Sequence, residues 1–202
     1  MCFSMRYPNI IKYILPWVSL LGIIGCQSDY TKMLNREAKE GMQKDSLILG
    51  LVMGENRTDF YRRCWQLNQE RLITQGPKKE TVEYSLPLRE DEKSVFDITL
   101  LFYGIFNAHD IMIGMDMSFY YTAWAPWNSE LTAQQLLPKV QDTLRSWFPG
   151  NDFIAIESDN LESPIYVKID GNRQISAYVK DDKDVVVKIE DLKQKYPEKF
   201  KR

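Results

Sequence analysis

The reactive inventory of this sequence is small. Its single histidine, His109, precedes Asp110, and Cys64 is the only cysteine in the body of the chain. Together they could form a thiol–imidazole pair, with Asp110 or Asp116 orienting the ring, and support a small hydrolase. Their settings favour plainer roles. Cys64 falls among Phe60, Tyr61, Trp65, Leu67 and Leu72, which share one apolar helix face, so it reads as a core thiol. His109 falls in a turn between two strand candidates, and neighbouring side chains of a strand point to opposite faces. Two carboxylate clusters, at 89–93 and 181–184, lie in polar turns. A glycosidase needs two acids across a cleft, one of them in an apolar setting. The Asp181–Asp184 run also lacks the glycine and distant glutamate of a calcium loop. Phosphate-loop, nucleophile-elbow, CxxC and HExxH patterns are missing. No catalytic residue, metal ligand or cofactor is therefore assigned.

The most distinctive stretch is Ser118–Trp127, with five aromatic residues in nine positions and Pro126 to end a strand. Strand alternation puts Phe119 and Tyr121 on one face and Tyr120, with Trp124, on the other. If the first face is core, the second presents large rings to a partner, and Tyr and Trp are common interface anchors. Tyr120, Trp124 and Trp127 are the expected binding residues. An alternative is that these rings stack on a sugar or peptide ligand. The competing structural expectation is that both faces are covered.

The N-terminus carries an address. Arg6 and Lys12 precede an uncharged run from Tyr13 to Gly25, and Cys26 follows. Thirteen residues fall short of the ~20 needed to span a bilayer but suit a signal-peptide apolar region. Ile23-Ile24-Gly25-Cys26 resembles the lipobox of bacterial lipoproteins. That resemblance implies cleavage before Cys26, diacylation of its thiol and acylation of the new N-terminus. Two or three chains hold a protein durably on a membrane, at ~0.8 kcal/mol per buried CH₂. Gln27, in place of an aspartate, then implies the outer membrane, on its periplasmic or cell-surface face.

Composition sets the remaining bounds. With 44% hydrophobic and 27% charged residues, the chain of 202 residues is a foldable globular protein. A net charge of −2, or −4 once residues 1–25 are removed, gives no footprint for nucleic acid. Residues 26–46 read as a tether followed by a short helix on Leu34, Ala38 and Met42. The apolar run 47–53 has strand length, and Asn56 can cap a helix over the following residues. Alternating runs at 81–86, 95–103 and 111–124 follow, with Gly114 a candidate bulge. A second unit begins at the capping pattern Thr132–Gln135, with Pro138 placed to kink or restart its helix. Strands over 153–156, 165–170, 173–180 and 185–189 follow, with a hairpin at Asp170-Gly171-Asn172. The tail, 193–202, is polar and basic and expected to be frayed or weakly helical. The expected fold is α+β: a helix followed by an antiparallel meander, twice (47–127 and 128–192), packed as one compact body. The Gly50–Phe60 stretch resembles the strand–turn–helix opening of small envelope lipoproteins of the SmpA and β-lactamase-inhibitor-like type. That resemblance implies a helix–sheet domain that binds other proteins, as an accessory or adaptor subunit of an envelope complex.

Overall fold

The structure, a computed structural model, describes residues 28–78, 81–87, 94–157 and 163–200. The lipobox at 23–26 and the acidic run at 89–93 lie outside the described residues. Eight strands form one antiparallel sheet. They are β1 (Thr74–Gln75), β2 (Val82–Ser85), β3 (Ile98–Phe106), β4 (Met112–Tyr121), β5 (Ile154–Ile156), β6 (Ile165–Asp170), β7 (Arg173–Val179) and β8 (Val185–Asp191). Their spatial order is β1-β2-β3-β4-β8-β7-β6-β5. The fold is α+β, and each meander follows its own helix. The two meanders do not form separate sheets: β4 pairs with β8 from Gly114↔Glu190 to Phe119↔Val185 and joins them. The bulge in the β3–β4 pairing falls where Ile105 opposes Gly114 and Phe106 opposes Met112, so Ile113 is the extra residue beside the glycine.

Register sorts the side chains onto two faces. Leu100, Phe119, Val185 and Val179 form one row of the helix-covered face, and Phe102, Met117, Val187 and Ala177 form the next. All eight are buried beneath α2 (Arg57–Gln69) and α3 (Ala133–Trp147) in one continuous core. The caps are those their residues dictate. The Asn56 side chain accepts from the Asp59 amide at 3.0 Å, and Thr132 accepts from the Gln135 amide at 3.4 Å. α3 runs through Pro138 without a restart. α2 buries a narrower stripe than its periodicity suggests. Phe60 and Leu67 are buried and Cys64 is partly so, whereas Tyr61 and Trp65 stay 50% and 65% exposed. Each lies one position beyond a core residue or partial core residue, about 100° further round the helix.

The 47–53 run is not a strand. Leu49 (φ 55°) and Gly50 (φ 77°) turn the chain back within a single 3₁₀ turn, and the Leu47 amide donates to Leu51 O. The left-handed pair breaks the extended path, so Leu47, Ile48, Leu51 and Met53 plug the core as a loop. The Arg63 Nε donates to Leu49 O at 2.9 Å and holds the turn shut.

Among the described residues the other face of the sheet is covered by α1 (Asp29–Glu40), which packs on β6 and reaches Gln174 of β7 through the Tyr30 hydroxyl. Ser28 caps α1 and Gly41 ends it in the left-handed region. Met33 and Leu34 pack with Val167, Ile169 and Leu192 in a second, smaller core. Leu192 opens a short helix, α4 (Leu192–Lys195), and Tyr196 and Phe200 pack against the same core. The tail takes the helical of the two expected forms, briefly, and is docked through 200, because every fourth residue from Leu192 supplies an apolar or aromatic contact.

A buried polar network pins α1. Glu37 accepts from the Gly171 amide and from Asn151 Nδ2, each at 2.8 Å. Asn172, fully buried, donates to Asp45 and Asp191 and accepts from the Lys44 amide. Lys168 donates to Phe148 O at 2.5 Å and pairs with Asp170 at 3.2 Å. Arg173 donates to Ser46 O and lies over the Phe148 ring, with its carbon 4.4 Å from the centroid. Burial lowers the Arg173 pKa, and Asp170 opposes that shift. These groups join α1, the 43–46 segment, the end of α3 and the β6–β7 hairpin, although Arg173 Nε and Asp170 Oδ2 stay buried without a hydrogen-bond partner among the described residues.

Candidate functional site: the open face of the sheet

Over the middle of β3, β4, β8 and β7 no helix among the described residues covers the second face of the sheet, which α1 borders through Tyr30 at Gln174 and α4 through Lys195 at Glu190. Two rows of side chains form its floor. Leu101, Ser118, Val186 and Tyr178 are register partners, and so are Tyr103, Asp116, Lys188 and Ser176. Tyr120, opposite Thr99, continues the floor toward the end of β4. The Pro77–Lys78 corner and Thr81 form one wall, and the β7–β8 turn with Lys180, Lys183 and Asp184 forms another. The trough encloses about 720 Å³. A second depression of about 310 Å³, lined by Ile105, Ile113, Glu190, Gln194 and Lys195, adjoins it through the shared Lys188. With strands ~4.8 Å apart, the floor is about 14 Å across from β3 to β7. The main volume is within the range of ligand-binding clefts.

The floor alternates apolar surface with polar groups. Ser118 Oγ and Asp184 Oδ1 lie 3.2 Å apart and tie β4 to the β7–β8 turn. Burial raises the pKa of Asp116; Lys188 opposes the shift and Glu190 adds to it. Burial raises the pKa of the Tyr120 hydroxyl as well, with a smaller contribution from Glu83. The Lys183 ammonium sits 4.1 Å from the Tyr120 ring centroid and 5.8 Å from that of Trp124. Such a cation–π contact holds an ammonium in place without neutralising it. It also occupies a Tyr120 ring face on which a sugar would stack.

The three aromatic residues expected to act together are separated. Tyr120 is half-buried on the trough floor, as alternation predicts, while Phe119 and Tyr121 are core. Trp124 is partly buried and packs against the main core, touching the trough only through Lys183. Trp127 lies on the loop after β4, 88% exposed, and is no part of the trough lining. Proline and the turn at 122–128 redirect the chain, so the strand rule stops applying at Tyr121. The trough residues that sequence reading missed are Tyr103, Tyr178, Lys183 and Lys188. Tyr103, Tyr178 and Lys188 stand at alternating positions of β3, β7 and β8, a signal the sequence carried, and Lys183 lies in the β7–β8 turn, but pairing across β4–β8 is what brings the two rows together.

Cys64 and His109 are not brought together. Cys64 lies two turns into α2 and packs against the core, and burial pushes its thiol up to about 11. His109 is exposed at the tip of the β3–β4 hairpin, and its neighbour Asp110 is engaged by Arg57 at 2.8 Å. No hydrogen bond links the thiol to the imidazole among the described residues. Asp181 uses its carboxylate locally, accepting from the amides of Lys183 and Asp184. Among the described residues, no group of three His, Cys, Asp or Glu side chains could hold a metal ion, and no helix is long and apolar enough to cross a membrane.

Comparison with known proteins yields no match to this chain, whether to a protein-family model, a curated protein or a solved structure.

Proposed function

We propose that this chain is a lipid-anchored envelope protein that works by binding, as a non-catalytic accessory subunit held at the outer membrane through Cys26. The observation that carries the binding reading is the asymmetry of the sheet. Two helices and a plugging loop seal one face, whereas four central strands of the other form an open trough lined by Tyr103, Tyr120 and Tyr178. These three half-buried rings give the open face apolar surface that a partner can cover. The anchor reading is supported by the charged-then-apolar leader and the lipobox-like Ile23–Cys26. Because α1 begins at Asp29, three residues after Cys26, an acylated Cys26 keeps this helix and the sheet it packs on near the bilayer. Membrane partners then meet it at high effective concentration, and weak contacts suffice.

Two measurements test this. Mass spectrometry of the membrane-extracted protein is expected to show an acylated N-terminal Cys26 with residues 1–25 removed, and Cys26→Ser to abolish both. An intact leader with a bare thiol overturns the anchor. Affinity purification from native membranes is expected to recover a stoichiometric partner. Tyr120→Ala combined with Tyr178→Ala should lose it while thermal unfolding stays unchanged. Retention of the partner by that variant overturns the open face as the binding surface.

A further inference from the structure

The trough's charge differs from that of the chain. The protein is net −2, yet the side chains lining the main trough include Lys78, Lys180, Lys183 and Lys188 against Asp116 and Asp184, with Glu83 beside them opposite Leu101. Both aspartates are engaged. Asp184 lies within hydrogen-bonding distance of Ser118, and Asp116 is half-buried directly opposite Lys188 in the β4–β8 register. Among the lysines, Lys180 pairs with Asp181 at 3.8 Å and Lys188 with Glu190 at 3.6 Å. Lys183 has no carboxylate partner among the described residues. Its ammonium is held over Tyr120 and Trp124 at the rim, aimed by the β7–β8 turn that its own backbone amide helps to close. A cation held over rings, with no carboxylate in ion-pair distance among the described residues, at the head of a trough floored by Leu101, Tyr103, Tyr178 and Val186, has the build of an anion anchor beside an apolar cleft.

Resting on the reading of the open face as the binding face, the geometry points to an acidic peptide segment of a protein partner as the occupant. One of its carboxylates pairs with Lys183, and its apolar side chains lie on the floor between β3 and β7. A second copy of this chain fits less well. The open area of four short strands is on the order of 400–500 Å² by strand spacing and rise, about half of the ~800 Å² per partner that a stable dimer buries. A neutral saccharide would need ring faces free for stacking, and Lys183 occupies one of Tyr120's.

The test uses the full chain in detergent and a short peptide alternating Glu and Val, with the matching Gln–Val peptide as control. Tryptophan emission reads binding, because Trp124 lies beside Lys183, and Trp124→Phe identifies that signal. The Glu–Val peptide should shift the emission and bind at least about tenfold more tightly than the Gln–Val peptide, the scale of one charge-assisted contact. Lys183→Gln should weaken it by about tenfold with unfolding unchanged, while Lys39→Gln, on the exposed side of α1, should leave it unaltered. Equal binding of the two peptides overturns the proposal. So does a Lys183→Gln variant indistinguishable from Lys39→Gln, or displacement of the peptide by polygalacturonate at lower concentration than by unlabelled peptide. If the peptide fails but the Tyr120/Tyr178 variant still loses its native partner, the open face stands and its acidic ligand falls. If that variant keeps its partner, the open face itself falls.

Discussion

At the scale of single residues, the same side-chain type takes different roles according to what covers it. Cys64 is a nucleophile candidate by type, but its partly buried position stabilises the protonated thiol, raising its pKa from 9.0 to about 11. A group whose folded pKa lies above its unfolded value stabilises the fold fully below pH 9, and that contribution is lost as pH rises toward 11. Denaturant unfolding of the wild type and Cys64→Ala from pH 8 upward should therefore show the wild type losing stability relative to the variant across that window; a constant difference contradicts it. Iodoacetamide should label Cys64 slowly at neutral pH for the same reason. Gly171 gives a steric counterpart. It sits at φ 57° in the β6–β7 turn, and a Cβ there would lie 2.3 Å from Met42 O. Gly171→Ala should destabilise by at least about 1–3 kcal/mol, combining left-handed strain with the clash. A loss under ~0.5 kcal/mol in denaturant titration would show that the 41–44 segment yields freely.

At the scale of elements, α1 is the informative one. Its apolar face is short, Met33 and Leu34, and its docking relies on Glu37 reaching the Gly171 amide and Asn151. Glu37→Ala leaves the buried Gly171 N–H without its acceptor, a cost of about 1–3 kcal/mol. Amide exchange in α1 should accelerate before that of β4 and β8, since a peripheral helix opens separately from the sheet. Uniform acceleration through the sheet would show α1 to be part of the central cooperative unit. α1 also shows how far sequence reasoning reached. The four-residue spacing of Leu34, Ala38 and Met42 marked a helix, but α1 ends at Gly41 with Met42 exposed beyond it, its buried face is Met33, Leu34 and Glu37, and no pattern could show that Glu37 would be sealed against a hairpin 134 residues away. The β6–β7 hairpin was legible to the residue, because Asp170-Gly171-Asn172 encodes its own turn. The 47–53 run was not, because a short apolar stretch has no period to distinguish a strand from a loop plugging the core.

At the scale of the whole molecule, the β4–β8 pairing decides the architecture. It merges two helix–meander units into one sheet and lets α3 lie across β4, β7 and β8 together. The protein should then unfold in a single transition, with circular dichroism and tryptophan emission superimposing; two separated transitions would mean that the meanders fold as independent units. The sequence alone determined the fold class, the helix caps, most strands and the alternation that sends Tyr120 away from Phe119 and Tyr121, because these depend on neighbours within a few positions. Tertiary structure decided which rows of the two meanders would lie side by side, which face α1 would leave uncovered, and that Lys183 would come to rest over Tyr120. Those outcomes depend on contacts between residues more than sixty positions apart, which local propensity does not encode.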